Sequence, residues 1–286
     1  MNSIDKKCAP QKKFIDGSCF SIESLKMIAT EYNKLNTKHL ININNNKKNM
    51  VKQITKAFSK SCSSQICWLR TDIIKKIKDD DIHNNTFRPS GPSTGYDWLS
   101  TTNINNVMNQ YENTYNDFVF LGALPNDFQE LPMLGLSNID FDDFVSEGKT
   151  KIGLVINLDT HDKSGSHWVA LYTDLNKNQI YYFDSLGDKP GHRIKKFNNQ
   201  ILNYMYKKKY NKKLNINKLL KNIKNDSLDE FDIKYNNIQH QKKDSECGVY
   251  SMNCILRLLK GESFDSISKN ITPDEKVNEC RDVYFR

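Results

Sequence analysis

Long apolar runs are what this sequence lacks most clearly. The 286 residues have a mean hydropathy of -0.69, and none of the apolar stretches approaches the ~18–20 residues that a membrane-spanning helix needs. Residues 1–10 are charged and contain no apolar segment of the kind that a secretory signal carries. With 37% hydrophobic and 10% aromatic residues the chain can still bury a core. We therefore expect a folded chain of one or two domains without a membrane span.

Regularly spaced cysteines are also missing. The seven cysteines are an odd number with irregular spacing, at positions 8, 19, 62, 67, 247, 254 and 280. This pattern argues against a disulfide framework and favours a reducing, intracellular compartment. Cys62, Cys67 and His83 make a poor zinc set, because structural zinc sites usually show two close pairs of ligands. We therefore expect neither a metal nor another cofactor.

Arginine is scarce, and acidic residues are missing from one long segment. Only six of the 42 basic residues are arginine. Residues 1–90 carry 17 basic and 8 acidic side chains, whereas residues 189–225 carry 12 basic side chains and no acidic one. The net charge of +8 therefore comes from two basic segments that flank or interrupt an acidic body. Such segments are typical of solvated faces, and the alternative is that 1–90 and 189–225 bind nucleic acid.

A stretch rich in proline and glycine, residues 88–95, separates two parts of different character. Before this stretch, apolar residues recur at helical spacing, as in residues 20–28 and 51–58. We therefore predict a basic, mainly helical N-terminal domain at residues 1–88. A second domain is predicted at residues 89–286.

The second domain mixes apolar segments of strand length and of helix length. Strand-length runs occupy residues 152–158, 168–172, 180–183 and 231–235. Helical spacing recurs at residues 104–111, 194–205 and 219–223. Residues 249–259 are apolar on nearly every side, which predicts a buried helix. Strands that are segregated from a central helix imply an α+β domain.

Cys247 stands where that buried helix is predicted to begin. A thiol at this place faces the positive end of the helix dipole and unpaired backbone N–H groups, and both favour the thiolate. Gly248 adds no side chain that would obstruct a substrate. The alternative is a small buried core cysteine, an interpretation that suits Cys254 better.

His167 and Asp184 are predicted to meet across a hairpin. His167 opens one predicted strand, Asp184 closes the next, and the turn falls near residues 175–178. In an antiparallel hairpin these positions lie opposite within a residue or two, and neighbouring strands are about 4.8 Å apart. The carboxylate can then bind one ring nitrogen, fix the tautomer and stabilise the charged imidazole. A lone histidine is usually structural, but this pairing favours a catalytic role.

An oxyanion hole is the remaining requirement of a cysteine nucleophile. The backbone N–H of Cys247 at the helix start is one natural donor. Gln241, six residues earlier, is placed to loop back over the site and supply a second donor. Without the other residues, Gln241 would be interpreted as an exposed loop amide.

These residues together resemble the ubiquitin-like-specific protease and adenain clan of cysteine peptidases. The resemblance rests on His167-Trp168, on residues 183–185, and on Gln241 followed by residues 246–248. It implies a papain-like or adenain-like core, in which a mixed sheet packs on a central helix that begins at the catalytic cysteine. It also implies that Cys247 is the nucleophile, His167 the general base, Asp184 the orienting acid and Gln241 the oxyanion donor.

The viral branch of that clan offers the closer resemblance. Residues 166–170 and 238–251 are similar to the polyprotein-processing proteases of African swine fever virus and related large DNA viruses, which also carry a helical N-terminal domain. Asp244 departs from the pattern, because those relatives have a glutamine there that is considered for the oxyanion hole. An anionic aspartate would not stabilise an oxyanion, so the role is assigned to Gln241.

The resemblance implies an endopeptidase that cuts viral structural polyproteins or core precursors after small residues, in Gly-Gly-X or Ala-Gly-X sites, late in infection during virion maturation. It would act in the virion and in the host cytoplasm, at the viral factory. Trp168, Glu246 and Gly248 are predicted to contact the substrate. The alternatives are a protease that removes ubiquitin or SUMO-like modifiers from host proteins, and a catalytically inert virion protein that binds nucleic acid.

Overall fold

Two compact units make up the structure, a computed structural model that describes residues 3–92, 95–211 and 230–286. The first unit comprises Met1–Gly91 together with Asp282–Arg286, and the second comprises Pro92–Arg281. The sequence-based division instead keeps residues 282–286 with the second domain. No helix within the described ranges is long and apolar enough to cross a membrane.

The first unit is helical, and its helices begin at side-chain caps. The α-helices within residues 3–91 are Ile22–Leu35, Lys47–Phe58, Gln65–Trp68, Asp72–Lys75 and Asp80–Asn84. Ser21 caps the first of them, because its side chain accepts a hydrogen bond from the backbone N–H of Ser24. Buried aromatic rings fill the core of the unit, where Trp68 stacks on Phe20 and on Phe58.

Two disulfides in the first unit correct the expectation drawn from the cysteine count. Cys8 is bonded to Cys19 and Cys62 to Cys67, with Cα–Cα distances of 5.4 and 5.5 Å. The partners are separated by 11 and 5 residues. Each disulfide therefore links residues that are close in the sequence. An argument from the odd number and irregular spacing of the cysteines overlooks such local bonds.

A five-stranded mixed sheet forms the centre of the second unit, with its strands in the order β1-β2-β3-β4-β5. The strands are β1 Phe118–Pro125, β2 Lys151–Asn157, β3 Trp168–Asp174, β4 Gln179–Phe183 and β5 Asp232–Tyr235. The pairs β2–β3 and β3–β4 are antiparallel, whereas β1–β2 and β4–β5 are parallel. The predicted α+β class is confirmed. Strand β1 was not predicted from the sequence.

Helices cover both faces of this sheet. The longer helices of the unit are Thr101–Glu112, His192–Tyr210 and Cys247–Leu259, and the shorter ones are Phe141–Ser146, Phe264–Lys269 and Asp274–Asn278. Alternate side chains of the strands, such as Leu154 and Val169, pack with Phe197 and its neighbours from His192–Tyr210. The predicted helical segment 219–223 lies outside the described residues.

The Cys247–Leu259 helix, called the central helix below, is buried as predicted. Nearly all of its residues are buried, and it packs against β2 and β3. Gly153 of β2 makes room for the Phe118 ring of β1, since a Cβ there would lie 2.8 Å from Cε2 of Phe118, and it faces Ile255 of the central helix, whose Cγ2 would be 3.4 Å away. The sheet and the central helix together hold the ends of β3 and β4 in place.

The described part of the second basic segment faces acidic side chains. In and beside the His192–Tyr210 helix, ion pairs join Arg193 to Glu130 at 2.9 Å, Lys208 to Asp142 at 3.6 Å and Lys209 to Glu230 at 2.7 Å. Exposed pairs of this kind contribute little to stability, about 0–1 kcal/mol each. Residues 212–225 of the segment lie outside the described ranges. Binding of nucleic acid stays a prediction.

Replacement of Gly153 by alanine tests the packing of β2 against the Phe118 ring of β1. The added methyl group would meet the Phe118 ring at 2.8 Å, so we expect Gly153→Ala to lower the free energy of unfolding by about 1–3 kcal/mol. Urea-induced unfolding followed by tryptophan fluorescence measures the change. Gly95→Ala is the matched control, because its Cβ would lie 3.7 Å from Oδ1 of Asn278. Equal stability of the two variants would contradict the packing described.

Candidate active site

His167 and Asp184 meet as the hairpin geometry predicts. His167 immediately precedes β3 and Asp184 immediately follows β4, and the register pairs Ala170 with Phe183. Nε2 of His167 lies 2.7 Å from Oδ1 of Asp184. The histidine side chain is 12% exposed and the aspartate 1%, so the pair is shielded from water but still reachable on the histidine side.

Asn236 holds the main chain of Asp184 in place. Its Oδ1 accepts the Asp184 N–H at 2.8 Å, and its Nδ2 donates to the Asp184 carbonyl at 2.6 Å. The backbone N–H of Leu186 also donates to Oδ1 of Asp184, at 2.8 Å. Asn236 is buried and directly follows β5, the strand that pairs in parallel with β4. The residue that fixes the backbone of Asp184 therefore comes from the neighbouring strand. Sequence reasoning missed this residue, although its place after a predicted strand was a usable signal.

Cys247 and Asp184 act on His167 from two sides. Burial lowers the pKa of His167, but hydrogen bonds and charge from Asp184 and Cys247 outweigh burial and raise the pKa to about 9. Because Nε2 faces Asp184, Nδ1 is the ring nitrogen left for the sulfur. The imidazole is therefore protonated at neutral pH, an arrangement that suits a thiolate–imidazolium pair.

Cys247 begins the central helix, as predicted, and its position is fixed by a buried ion pair at the preceding residue. Glu246 is fully buried, and Arg281 donates to both of its carboxylate oxygens, from Nη2 to Oε1 at 3.1 Å and from Nε to Oε2 at 3.2 Å. Ser245 and Asn278 also donate to Oε1, each at 3.1 Å. Removal of one partner of such a pair is strongly destabilising, by about 3–5 kcal/mol. These are the contacts that the structure shows for the Glu246 carboxylate, and its predicted contact with substrate stays a prediction.

Gln241 is a buried side chain with a fixed amide, not an exposed loop residue. The hydroxyl of Ser185 donates to Oε1 at 2.6 Å, and the backbone N–H of Gln241 donates to the Ser185 carbonyl at 2.9 Å. Among the residues that the structure describes, Nε2 donates one hydrogen bond, to the carbonyl of Lys243. An amide nitrogen carries two hydrogens, so one remains for a ligand. Asp244, the alternative considered above, is exposed.

Trp168 lines a cleft, and Gly248 packs against two of the residues that form its wall. The cleft has a volume of 490 Å³ and is lined by residues that include Trp98, Leu99 and Trp168. The indole N–H of Trp168 donates to the Leu99 carbonyl at 3.0 Å. A Cβ on Gly248 would lie 3.2 Å from Cβ of Leu99 and 3.4 Å from Cδ1 of Trp168. The residue after Cys247 must therefore be small for these walls to close on the helix start.

Comparison with known proteins agrees with this geometry. A model of the Ulp1 protease family, C-terminal catalytic domain, matches residues 149–285. The putative thiol protease of Acanthamoeba polyphaga mimivirus is 36% identical over 98% of this chain and 93% of its own length. These matches cover the His167, Asp184 and Cys247 positions.

Similarity extends to a protease of African swine fever virus. Its cysteine protease, from the Badajoz strain, is 25% identical over 84% of this chain and 90% of its own length. The crystal structure of the selenomethionine form superposes with a TM-score of 0.64 at 20% identity, covering 100% of this chain and 97% of that one. This second likeness shows the same fold across both units. The chain belongs to the Ulp1 family of cysteine proteases.

Proposed function

We propose that this cysteine protease cuts viral structural polyproteins or core precursors after small residues, in Gly-Gly-X or Ala-Gly-X sites, during virion maturation. The observation that carries the proteolytic part is the line Asp184–His167–Cys247, with 2.7 Å between the first two side chains. The relatives from large DNA viruses support a viral substrate. The close packing of Leu99 and Trp168 against Gly248 supports a preference for small residues, because these side chains narrow the approach to the start of the central helix.

Cys247 is the proposed nucleophile. Its thiolate attacks the scissile carbonyl carbon, and the tetrahedral intermediate collapses as the His167 imidazolium gives its proton to the leaving amine. Water then attacks the thioester while His167 takes up the proton of the water, and the carboxylic acid product leaves. Asp184 keeps the imidazole oriented and stabilises its positive charge throughout.

Two donors are proposed for the oxyanion that forms in both steps. The first is the backbone N–H of Cys247, at the positive end of the central helix. The second is the amide nitrogen of Gln241, whose orientation is set because Ser185 occupies the amide oxygen. Donors that are fixed before the reaction cost no reorganisation when charge develops on the oxygen.

The proposed place of action is the virion and the host cytoplasm, at the viral factory. Removal of ubiquitin-like modifiers from host proteins is the second candidate. It is favoured by the family match and by the name SUMO-1 cysteine protease that several African swine fever virus relatives carry. Both functions need the same catalytic residues, so substrates must separate them.

Proteolysis assays test the function directly. We expect the wild-type chain to cleave virion precursors and Gly-Gly-X peptides, and Cys247→Ala to cleave neither, because the nucleophile is gone. New N-termini mapped by mass spectrometry identify the sites. Cys280→Ala is the matched control and should retain full activity, since that thiol hydrogen-bonds to Asn253 and Lys276 rather than His167. Cleavage confined to ubiquitin or SUMO conjugates would favour the second candidate.

Replacement of Gln241 tests the oxyanion hole. We expect Gln241→Ala to lower kcat by about 10²–10³-fold with little change in KM, because the donor acts mainly in the transition state. Ser185→Ala should have a smaller effect, about tenfold, since it frees the amide to rotate. Gln239→Ala is the control, because within the described residues that side chain donates to the backbone carbonyl of Gln241 and not to its side-chain amide. An unchanged kcat in Gln241→Ala would remove this residue from the mechanism.

The pH profile of kcat/KM tests the charged state of His167. Since the pKa of His167 is raised to about 9, we expect activity to fall as pH rises through that value and the general acid is lost. Asp184→Asn removes a large part of the stabilising charge, so the alkaline limb should move down towards the ordinary value of 6.5. Asp188→Asn, in the same loop but exposed, should leave the limb in place. An unmoved limb in Asp184→Asn would contradict this assignment.

A further inference from the structure

A buried carboxylate binds the loop that carries Gln241. Asp274 begins the short helix Asp274–Asn278 and is 4% exposed. Its Oδ2 accepts the backbone N–H of Lys242 at 3.0 Å and the backbone N–H of Lys243 at 3.2 Å. One oxygen of Asp274 therefore holds the main chain of the two residues that follow Gln241.

These two hydrogen bonds reach the Gln241 side chain through Lys243. The carbonyl of Lys243 accepts the hydrogen bond from Nε2 of Gln241, and the hydroxyl of Ser185 donates to Oε1 of the same amide. The amide is thus held at its nitrogen by Lys243 and at its oxygen by Ser185. If Lys243 moves, Nε2 loses the contact that directs it, and its second hydrogen no longer has a fixed direction.

The same carboxylate connects this loop to the central helix. Oδ1 of Asp274 lies 3.2 Å from the hydroxyl of Tyr250, which also donates to the Thr272 carbonyl at 2.7 Å. Burial and the charge of Asp274 raise the pKa of Tyr250, so the phenol keeps its hydrogen at neutral pH. Tyr250 is three residues after Cys247 on the central helix. Asp274 therefore joins the two elements that carry the two proposed oxyanion donors.

The residue before Gln241 is held separately. Nε2 of the buried His240 ring donates to the Ser268 carbonyl at 3.1 Å, and Nδ1 accepts the backbone N–H of Thr272 at 3.4 Å. The backbone N–H of His240 donates to the Ser185 carbonyl at 2.8 Å. Loss of the Asp274 carboxylate would therefore release the residues after Gln241 while the residue before it stays in place.

We propose that Asp274 is a positioning residue of the oxyanion hole, an inference that rests on the proposed role of Gln241. Asp274 fixes the backbone of Lys243, and Lys243 fixes the amide nitrogen of Gln241 relative to the start of the central helix. Because it is buried and occupied by the loop, Asp274 makes no contact with the substrate. It acts by keeping the donor in place before charge develops on the substrate oxygen.

Substitutions at Asp274 test the proposal. We expect Asp274→Ala to lower kcat by about tenfold with little change in KM, a smaller loss than removal of the Gln241 donor itself. Asp274→Asn should stay within about threefold of the wild type, because its amide oxygen can still accept both N–H groups. Glu275→Ala is the matched control and should retain full activity, since that exposed carboxylate pairs with the side chain of Lys243, at 2.6 Å, rather than with its backbone.

A double-mutant cycle separates positioning from a general structural role. In the Gln241→Ala background, Asp274→Ala should lower kcat by no more than about twofold, because the donor that it positions is already absent. The same tenfold loss with and without Gln241, or an unchanged kcat in Asp274→Ala, overturns the inference while the role of Gln241 stands. An unchanged kcat in Gln241→Ala overturns the proposed donor and the inference with it.

Amide hydrogen exchange followed by mass spectrometry tests the contact without turnover. We expect exchange in residues 240–246 to be faster in Asp274→Ala than in the wild type and unchanged in Glu275→Ala, because Asp274 binds two amides of this loop. Unchanged exchange in Asp274→Ala overturns the inference even if activity falls. Absent cleavage by the wild type, together with the expected exchange, counts against the proposed function and supports the hold of Asp274 on the loop. If Asp274→Ala shows no thermal unfolding transition, Asp274→Ser replaces it in each measurement with the same expected outcomes.

Discussion

The antiparallel register of β3 and β4 is the constraint on which the active site depends. It pairs Ala170 with Phe183, and so places His167 and Asp184 at adjoining strand ends, 2.7 Å apart. A slip of one residue would turn every side chain of the shifted strand to the opposite face and separate the dyad. Asp174 secures the turn, because its Oδ1 accepts the backbone N–H groups of two turn residues at 3.1 Å. The turn at Asp174 and the His167–Asp184 pair therefore belong to the same hairpin.

The start of the central helix is not capped by a side chain in the usual way. Helix N-termini are usually capped by a side-chain oxygen that binds the free N–H groups. Glu246 occupies the capping position but makes no such bond, and its carboxylate is bound by Arg281 instead. The N–H groups beside Cys247 are thus left for a substrate oxygen. A buried ion pair, which contributes little net stability by itself, here keeps a carboxylate away from the place where negative charge must develop.

Local patterns predicted the parts of this site that lie on one hairpin or at one helix start. Short apolar runs of strand length located β3 and β4, and the buried helix pattern located Cys247. Contacts between distant segments could not be predicted in this way. The hydrogen bonds of Asn236 to the Asp184 backbone need the parallel pairing of β5 with β4. The spacing of residues along the chain does not specify that pairing. The Cys8–Cys19 bond was missed for a similar reason, since it depends on the packing of a small helical unit. Strand β1, by contrast, is an apolar run of strand length that could have been predicted in the same way as β3 and β4.

Two His–Asp pairs, His167 with Asp184 and His161 with Asp127, show that pairing alone does not identify the catalytic histidine. Each joins a ring nitrogen to a buried carboxylate at 2.7 Å, and each carboxylate raises the pKa of its histidine. The side chain of His167 is 12% exposed, whereas that of His161 is 57% exposed. In the shielded setting charge interactions are strong, which suits proton transfer to a reacting group next to a thiol. In the open setting of His161 water screens the charge, so its interaction with other groups is weaker. Burial, together with the presence of Cys247, therefore separates His167, the proposed general base, from His161.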